Sequence, residues 1–476
     1  MRTIILGVIM IALTVTSALT SSKPSTSNTD SRKFFAYPTH KVTLENGLDI
    51  IFIEMPEFKN VLSFNTLVLA GARNETEKGK TGFAHLFEHI MFRHRFDGVV
   101  NGYDDAINKL GAFNNAWTWF DVTYYHPVTF TSNLEPKQNG GGAALPGLLQ
   151  LEASRFTGLS FDKKIFQTEA GAVLGEYRKS ATDPGLAMDE KLLELMFPNH
   201  SYGHTTIGYL KDVQEMPQHY EYAVWFYDAY YRPNNCVLVV SGDVKKDNLL
   251  PKIRSAFGAW QPKPTPPITV QDPPQTSEKR GYVEWGAQVP PRVSVAHKSP
   301  KFSTGSTETA VGMILPELLT SESAPLYKKI RFEKKTVTSL SMNAQSYEGF
   351  DARPMECEAR LYLEQYKQKG ESYVEDVIQD IVKGMNELKQ FSADPQSGKI
   401  LETVKSKFKY DFLASMDSPA NVARTFAWYY RFERDPDVLD KLIASIERLT
   451  PADIDAFATK YFGENNRVII TMAPKK

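Results

Sequence analysis

Two stretches far apart in this chain repeat one another. Tyr230-Tyr231-Arg232-Pro233-Asn234-Asn235-Cys236-Val237-Leu238-Val239 is matched by Tyr461-Phe462-Gly463-Glu464-Asn465-Asn466-Arg467-Val468-Ile469-Ile470. Each follows a segment of helical character that begins near a proline, Pro217 and Pro451, and each runs into an apolar strand near the close of its half. A repeated helix–turn–strand unit points to a duplicated domain. Between the halves, Trp260 to Thr276 holds Pro262, Pro264, Pro266, Pro267, Pro273 and Pro274, a density that makes a stiff, extended connection. The chain has 476 residues, too many for one ordinary core, and two domains of about 200 residues are the natural division. The expected boundaries are 37–260 for the first domain, 261–280 for the linker and 281–476 for the second.

The first half carries the chemistry. In Gly82-Phe83-Ala84-His85-Leu86-Phe87-Glu88-His89-Ile90-Met91-Phe92 the apolar positions read as a buried helix. His85 and His89 are four apart, so both imidazoles leave one helical face. Two imidazoles one turn apart can hold a tetrahedral metal ion. Glu88 lies on the same side and can reach a water on that ion. A third protein ligand has to come from elsewhere. The helix expected from Phe161 to Lys179 offers Glu169 and Glu176, two turns apart on one face. Ala170, Gly171, Ala172 and Gly175 around them would permit close helix approach. Glu169, Glu176 and Glu152 all remain candidates on these grounds. The second half has a single histidine, His297, so a metal site belongs to the first half.

The rest of the first half reads as strands and helices in alternation. Lys41 to Thr43 and Leu48 to Glu54 are strands joined at Asn46-Gly47, a strong hairpin signal. Val61 to Ala70 is a third strand, Gly111 to Trp117 and Val122 to Phe130 a further pair, and Cys236 to Ser241 a buried one. Helices are expected over Tyr103 to Leu110, Leu145 to Phe156, Met216 to Tyr231 and Asp247 to Phe257. His94 and His126 read as surface or strand residues rather than ligands.

A formal net charge of -1 gives no reason to expect nucleic acid or an anionic membrane as partner. The two cysteines, Cys236 and Cys357, fall in different halves, and no disulfide or thiolate metal site is expected. Arg2, the apolar run Ile4 to Val15 and the small residues Thr16-Ser17-Ala18 form a cleavable export signal over 1–20, followed by a Ser/Thr-rich disordered tether over 21–36. Export with so little cysteine fits a bacterial periplasm.

The order H-x-x-E-H, inverse to the common zinc-protease motif, resembles the pitrilysin/insulysin family of zinc peptidases. The resemblance is strongest to its two-domain branch, which includes the mitochondrial processing peptidase and bacterial relatives. It extends beyond the motif to Asn114-Asn115-Ala116-Trp117-Thr118, Gly208-Tyr209, Tyr231-Arg232-Pro233-Asn234-Asn235, Gly242-Asp243 and Leu449-Thr450-Pro451-Ala452-Asp453. The fold this implies is α+β: two homologous domains, each a mostly antiparallel sheet packed with helices on one side, only the first bearing metal. The resemblance implies one Zn2+ per chain held by His85, His89 and Glu176. It also implies Glu88 as general base, Glu169 as an additional active-site carboxylate, and Asn115 and Ala116 on a substrate-binding edge strand. Arg331 aligns with a substrate-carbonyl arginine, but Thr338 stands where relatives carry its tyrosine partner. The implied activity is zinc-dependent endopeptidase. The implied partners are a peptide substrate and a second two-domain subunit lacking the zinc motif, with a homodimer as second choice. A non-catalytic structural or assembly subunit of the same fold is the alternative.

Overall fold

Asn46-Gly47 turns the chain as a hairpin: β1 (Thr39–Thr43) and β2 (Asp49–Glu54) pair antiparallel, with Gly47 at φ +86°. The computed structural model describes residues 34–95, 102–137, 145–269, 271–343 and 348–475. The expected export signal, most of the tether and the glycines 140–142 lie outside the described residues. Beyond β2, the first half adds β3 (Val61–Val68), β4 (Ala116–Thr118), β5 (Thr123–Tyr125), β6 (Val128–Phe130) and β7 (Cys236–Gly242). They form one sheet in the order β1-β2-β7-β3-β5-β4, with β6 also pairing β3. Only β2 and β7 are parallel, so the last strand is inserted beside the second.

The second half repeats this plan. Its strands are β8 (Lys279–Trp285), β9 (Arg292–Lys298), β10 (Val337–Met342), β11 (Pro354–Leu361) and β12 (Arg467–Pro474), in the order β10-β11-β9-β12-β8. Again only the last strand runs parallel to a neighbour, β12 to β8. The repeated Asn-Asn has a physical reason. Asn235 Nδ2 donates to Tyr230 O at 2.9 Å and to Leu69 O at 3.3 Å. Asn466 Nδ2 donates to Tyr461 O at 2.9 Å and to Lys298 O at 3.0 Å. In both halves one carboxamide ties the end of a helix to the strand beside the returning one.

The halves interlock. Helix α1 (Phe83–Ile90) leads the helices on one face of the first sheet, followed by α2 (Tyr103–Lys109), α3 (Leu148–Gly158) and α4 (Lys163–Ser180). The next helix, α5 (Pro184–Met196), leaves its own half and lies on β8 and β12. In return the Pro419–Glu433 helix lies on β3 and β7. Both begin at a proline behind a capping side chain, Asp183 and Ser418. Strands β2 and β7 of the first sheet are therefore apolar on both faces. Ile50 and Phe52 pack with α1, while Ile51 and Ile53 pack with Phe426 and Ala427 of the second half. The helices of each half sit on one side of its sheet, and the other side is closed by a helix from the opposite half. Cys236 and Cys357 are free and buried. Among the described residues no helix is long and apolar enough to cross a membrane.

One side chain fixes the entry to α1. Glu75 is buried, and its two carboxylate oxygens accept from Gly82 N at 2.6 Å and Ala84 N at 2.7 Å. These are amides that a helix start leaves without intrahelical partners. Gly82 has φ +88°, and a Cβ there would stand 2.6 Å from Ile207 O. Glycine is required both for the left-handed turn and for the close approach. Replacing Glu75 by Gln puts an NH2 against one of the two amides. We expect a loss of about 1–3 kcal/mol of stability, read as a lowered denaturation midpoint in urea. An unchanged midpoint would mean that Glu75 does not hold the helix.

Candidate metal centre

Phe83, Ala84, Leu86, Phe87 and Ile90 of α1 are buried, which leaves His85, Glu88 and His89 on its other face. That face meets α4 and β4. α4 starts where Asp162 accepts from Ile165 N at 2.8 Å and runs far enough to present both Glu169 and Glu176 to α1. Glu176 Oε2 lies 3.6 Å from His85 Nε2 and 3.5 Å from His89 Nε2. One ligand atom from each of His85, His89 and Glu176 falls within 4.8 Å of the others. Ligand atoms about 2.0–2.2 Å from a tetrahedral zinc stand roughly 3.3–3.6 Å apart. The donor set, two nitrogens and one carboxylate oxygen, and its spacing fit such an ion with one position left open.

The other two carboxylates have different partners. Glu169 is buried and turns to the far nitrogen of the same ring, with Oε2 3.6 Å from His89 Nδ1. Its Oε1 accepts from Arg93 Nε at 2.8 Å, and Arg93 Nη1 donates to Asp104 at 2.9 Å. Asp104, Arg93 and Glu169 thus form a chain that ends on His89. Glu152 is fully buried and accepts from Tyr103 Oη at 2.5 Å and Arg155 Nη2 at 2.7 Å, which removes it from the candidates. Of the small residues of α4 only Ala170 lies on the face turned inward. Gly171, Ala172 and Gly175 are exposed, and Phe166, Glu169, Ala170, Val173 and Tyr177 make the buried face at helical spacing. His94 is not a surface residue. It is buried, with Nε2 2.6 Å from Ser154 Oγ and Nδ1 accepting from Ser160 N at 3.1 Å.

The field at the site is set by burial and by carboxylates. Burial, aided by His89, pushes the His85 imidazole down to about 3, so it is neutral and able to ligate. Burial also works against a charged His89, but Glu169, Glu88 and Glu176 outweigh it and raise its pKa. Burial raises Glu88, and the hydrogen bond from Thr118 opposes that rise only in part. Burial works against a charged Glu169 too, and there the contacts with His89 and Arg93 win and lower its pKa.

Among the described residues β4 is the edge of its sheet and pairs only with β5. Thr118 Oγ1 donates to Glu88 Oε2 at 2.6 Å, which ties that edge to α1. Ala116 N donates to Asn115 Oδ1 at 2.9 Å, so a peptide pairing there has to displace the Asn115 carboxamide. A polar cavity of 330 Å³ opens beside the site, lined by Glu88, His89, Arg93, Asn114, Asn115 and Glu169 among others. Arg331 stands apart. It lies in a turn of wide helix, Lys328–Glu333, donates to Tyr362 Oη at 3.1 Å, and lines neither this cavity nor the larger one at the other end of β4. Thr338 Oγ1 donates to Arg360 O at 3.1 Å, at a bulge in β10. Sequence reasoning did not find Glu75, Arg93 or Asp104, and it named Thr118 only as part of the Asn114–Thr118 stretch, without its bond to Glu88. Arg93 left a trace: it lies four after His89, where the short Met91–Arg93 turn carries the helix on.

Residues 56–209 match the family model described as "Insulinase (Peptidase family M16)", and residues 223–397 match "Peptidase M16 inactive domain". Together the two matches span more than half of the chain. "Zinc protease PqqE" of Helicobacter pylori is 24% identical over 443 residues, covering 92% of this chain and 93% of that protein. "Mitochondrial-processing peptidase subunit beta" of Homo sapiens is 24% identical over 189 residues, 40% of this chain and 36% of that one. The crystal structure of a protease from Helicobacter pylori superposes with a TM-score of 0.80 at 22% identity, over 92% of this chain and 100% of that chain. The periplasmic protease PqqL from Escherichia coli gives 0.70 at 16% identity over 94% of this chain, which spans 48% of that longer one. With its two interlocked, duplicated halves and these matches along most of its length, the chain belongs to the M16 family of peptidases.

Proposed function

We propose that the chain is a zinc-dependent endopeptidase that hydrolyses extended peptide segments. The observation that supports this most is the convergence of His85 Nε2, His89 Nε2 and Glu176 Oε2 beside Glu88, next to a sheet edge. His85, His89 and Glu176 would hold one Zn2+. When bound, zinc would supply Lewis-acid activation of a water and of the scissile carbonyl near neutral pH. Glu88 accepts the proton of the attacking water at a carboxylate oxygen and passes it to the departing amine. Thr118, hydrogen-bonded to Glu88, orients that carboxylate. Glu169, itself held by Arg93, orients the His89 ring through Nδ1. Asn115 and Ala116 receive the substrate backbone as an added strand, which gives affinity while reading little sequence. Arg331 lines neither cavity, so the carbonyl contact implied for it has no geometric support.

The chain works, in this reading, as an exported heterodimer with a second two-domain chain, a homodimer being second choice. The support is threefold: Arg331 lines neither cavity beside β4, Thr338 stands where the resemblance implies a tyrosine, and one relative is named as a subunit. Export is supported by the neighbour described as periplasmic. A non-catalytic assembly subunit is the alternative, and a purified chain without zinc would favour it.

Three outcomes test this reading. Glu88→Gln keeps zinc, by elemental analysis, and loses peptide hydrolysis by about 10²–10⁴-fold, whereas His85→Ala loses both. A Glu88→Gln chain cleaving at the unmutated rate defeats the assignment. Arg93→Ala frees Glu169 and lowers zinc affinity or kcat/KM by about 10–100-fold, measured by competition with a chelator and by steady-state kinetics. Equal values for the two chains would remove Arg93 from the mechanism. Sedimentation of the active species gives a mass above that of one chain, and full activity in a monomer rejects the partner.

A further inference from the structure

β4 has two ends and two faces, and the proposed chemistry uses only one of each. Thr118 points to α1, where its hydroxyl meets Glu88. Trp117, one residue earlier, points to the opposite side of the sheet by strand alternation. There its ring lies 5.8 Å from that of Trp428 on the Pro419–Glu433 helix. Between β4 and the second half lies a cavity of 760 Å³. Trp117 and Trp119 line it from β4 and just beyond, with Thr118 at its border between the two faces, and Phe408 and Phe412 of the Ser397–Ala414 helix line it from the second half together with Trp428 and Tyr429. The volume falls within the range of about 300–1,000 Å³ seen for small-ligand pockets. It is far larger and more apolar than the polar cavity beside the metal ligands.

Among the described residues two charged ones line this cavity, Glu348 and Arg424. Glu348 is buried, and both its oxygens are taken: Trp428 Nε1 donates to one and Tyr429 Oη donates to the other at 3.1 Å. Arg424 is exposed and makes no salt bridge among the described residues. Arg431, on the same helix as Arg424, is buried against Trp428, with its Nη2 donating to Glu348 O at 3.2 Å. Arg424 is thus, among the described residues, the exposed cation lining an aromatic chamber whose acid is spent, with Asp417 the carboxylate that feels its charge.

We propose that this cavity is a specificity pocket. It takes a large apolar or aromatic side chain of a peptide strand paired to the outer edge of β4, and Arg424 binds an acidic side chain two residues away. Alternation on the added strand carries the logic. One residue faces Glu88 and the metal ligands, the next faces Trp117 and the cavity, and residues two apart share the cavity side. A guanidinium beside low-dielectric aromatic walls holds a carboxylate more firmly than it does in open water. The substrate class is therefore extended peptide with an apolar residue flanked at two-residue spacing by Asp or Glu. The inference rests on reading β4 as the peptide-binding edge.

Binding to the zinc-loaded Glu88→Gln chain tests it without turnover. The probes are end-capped, fluorescently labelled Asp-Thr-Phe-Thr-Asp and its twins Lys-Thr-Phe-Thr-Lys and Asp-Thr-Ala-Thr-Asp, compared by anisotropy. The Phe/Asp peptide should bind at least tenfold more tightly than either twin, and Arg424→Glu, an exposed change, should invert the order of the Asp and Lys peptides. A twin that binds within twofold of the Phe/Asp peptide, or a preference that Arg424→Glu leaves unchanged, overturns the proposal. If the unmutated chain cleaves no peptide while these preferences hold, the peptidase reading fails and the pocket stands.

Discussion

The pose of α1 is the constraint from which the rest of the site follows. Eight residues are too few for a helix to be stable alone, so this one exists through what it packs on. Its apolar underside is buried in the first core, and its first amides are held by Glu75. Two imidazoles and Glu88 then have no choice of direction. α4 needs only to run alongside for Glu176 to meet both rings and for Glu169 to reach the back of one. A small rotation of α1 would move every one of these atoms together, which is why a buried carboxylate at the helix start belongs to the functional architecture although it touches nothing reactive.

The second constraint is the exchange of helices between the halves. A proline-dense connection suggests two units joined by a spacer, yet each sheet has one face that its own half leaves bare. The Pro419–Glu433 helix covers Ile51, Val237 and Val239, and α5 covers Val468, Ile470 and Met472. Separating the halves would expose these apolar rows to water, at a cost that scales with the area uncovered. Bonds such as Arg73 to Asp351, at 2.5 and 2.8 Å, run across the same boundary. The cavity beyond β4 exists because of this exchange, since Trp428 and Tyr429 in its lining ride on the donated helix.

Much of this was legible in the residues. The Asn46-Gly47 hairpin, the α1 motif, the repeated Asn-Asn turn and the apolar β7 all carry local signals, in turn chemistry, helical spacing and β-branched runs. What failed was information that lives between elements. α5 went unread because its pattern answers to a sheet in the other half. The glycines of α4 suggested close packing, but sequence gives a helix its faces without saying which one is turned inward. Glu169, Glu176 and Glu152 were equivalent by spacing, and they separate only through their partners: a ring edge with Arg93, two imidazoles, and a buried arginine with a tyrosine. Arg331 could be aligned but not placed, because its position depends on the wide turn of Lys328–Glu333 and its bond to Tyr362.

The balance of charge at the site links these parts. Glu88, Glu169 and Glu176 bring three carboxylates to two imidazoles, one of which burial keeps neutral. Such a cluster repels itself unless positive charge is supplied, more so at the buried Glu169 and half-buried Glu88 than at the exposed Glu176. Arg93 supplies some, but only to Glu169, which it grips on the side away from the ligand atoms. The remaining excess lies between Glu88 and Glu176, where the two Nε2 atoms point. A divalent cation there would relieve the repulsion, displace any proton from His89 and leave Glu88 as an unligated base close at hand. The fixed arginine and the open corner are thus two parts of one electrostatic arrangement, with Arg93 neutralising the carboxylate that orients and the ion neutralising the one that binds.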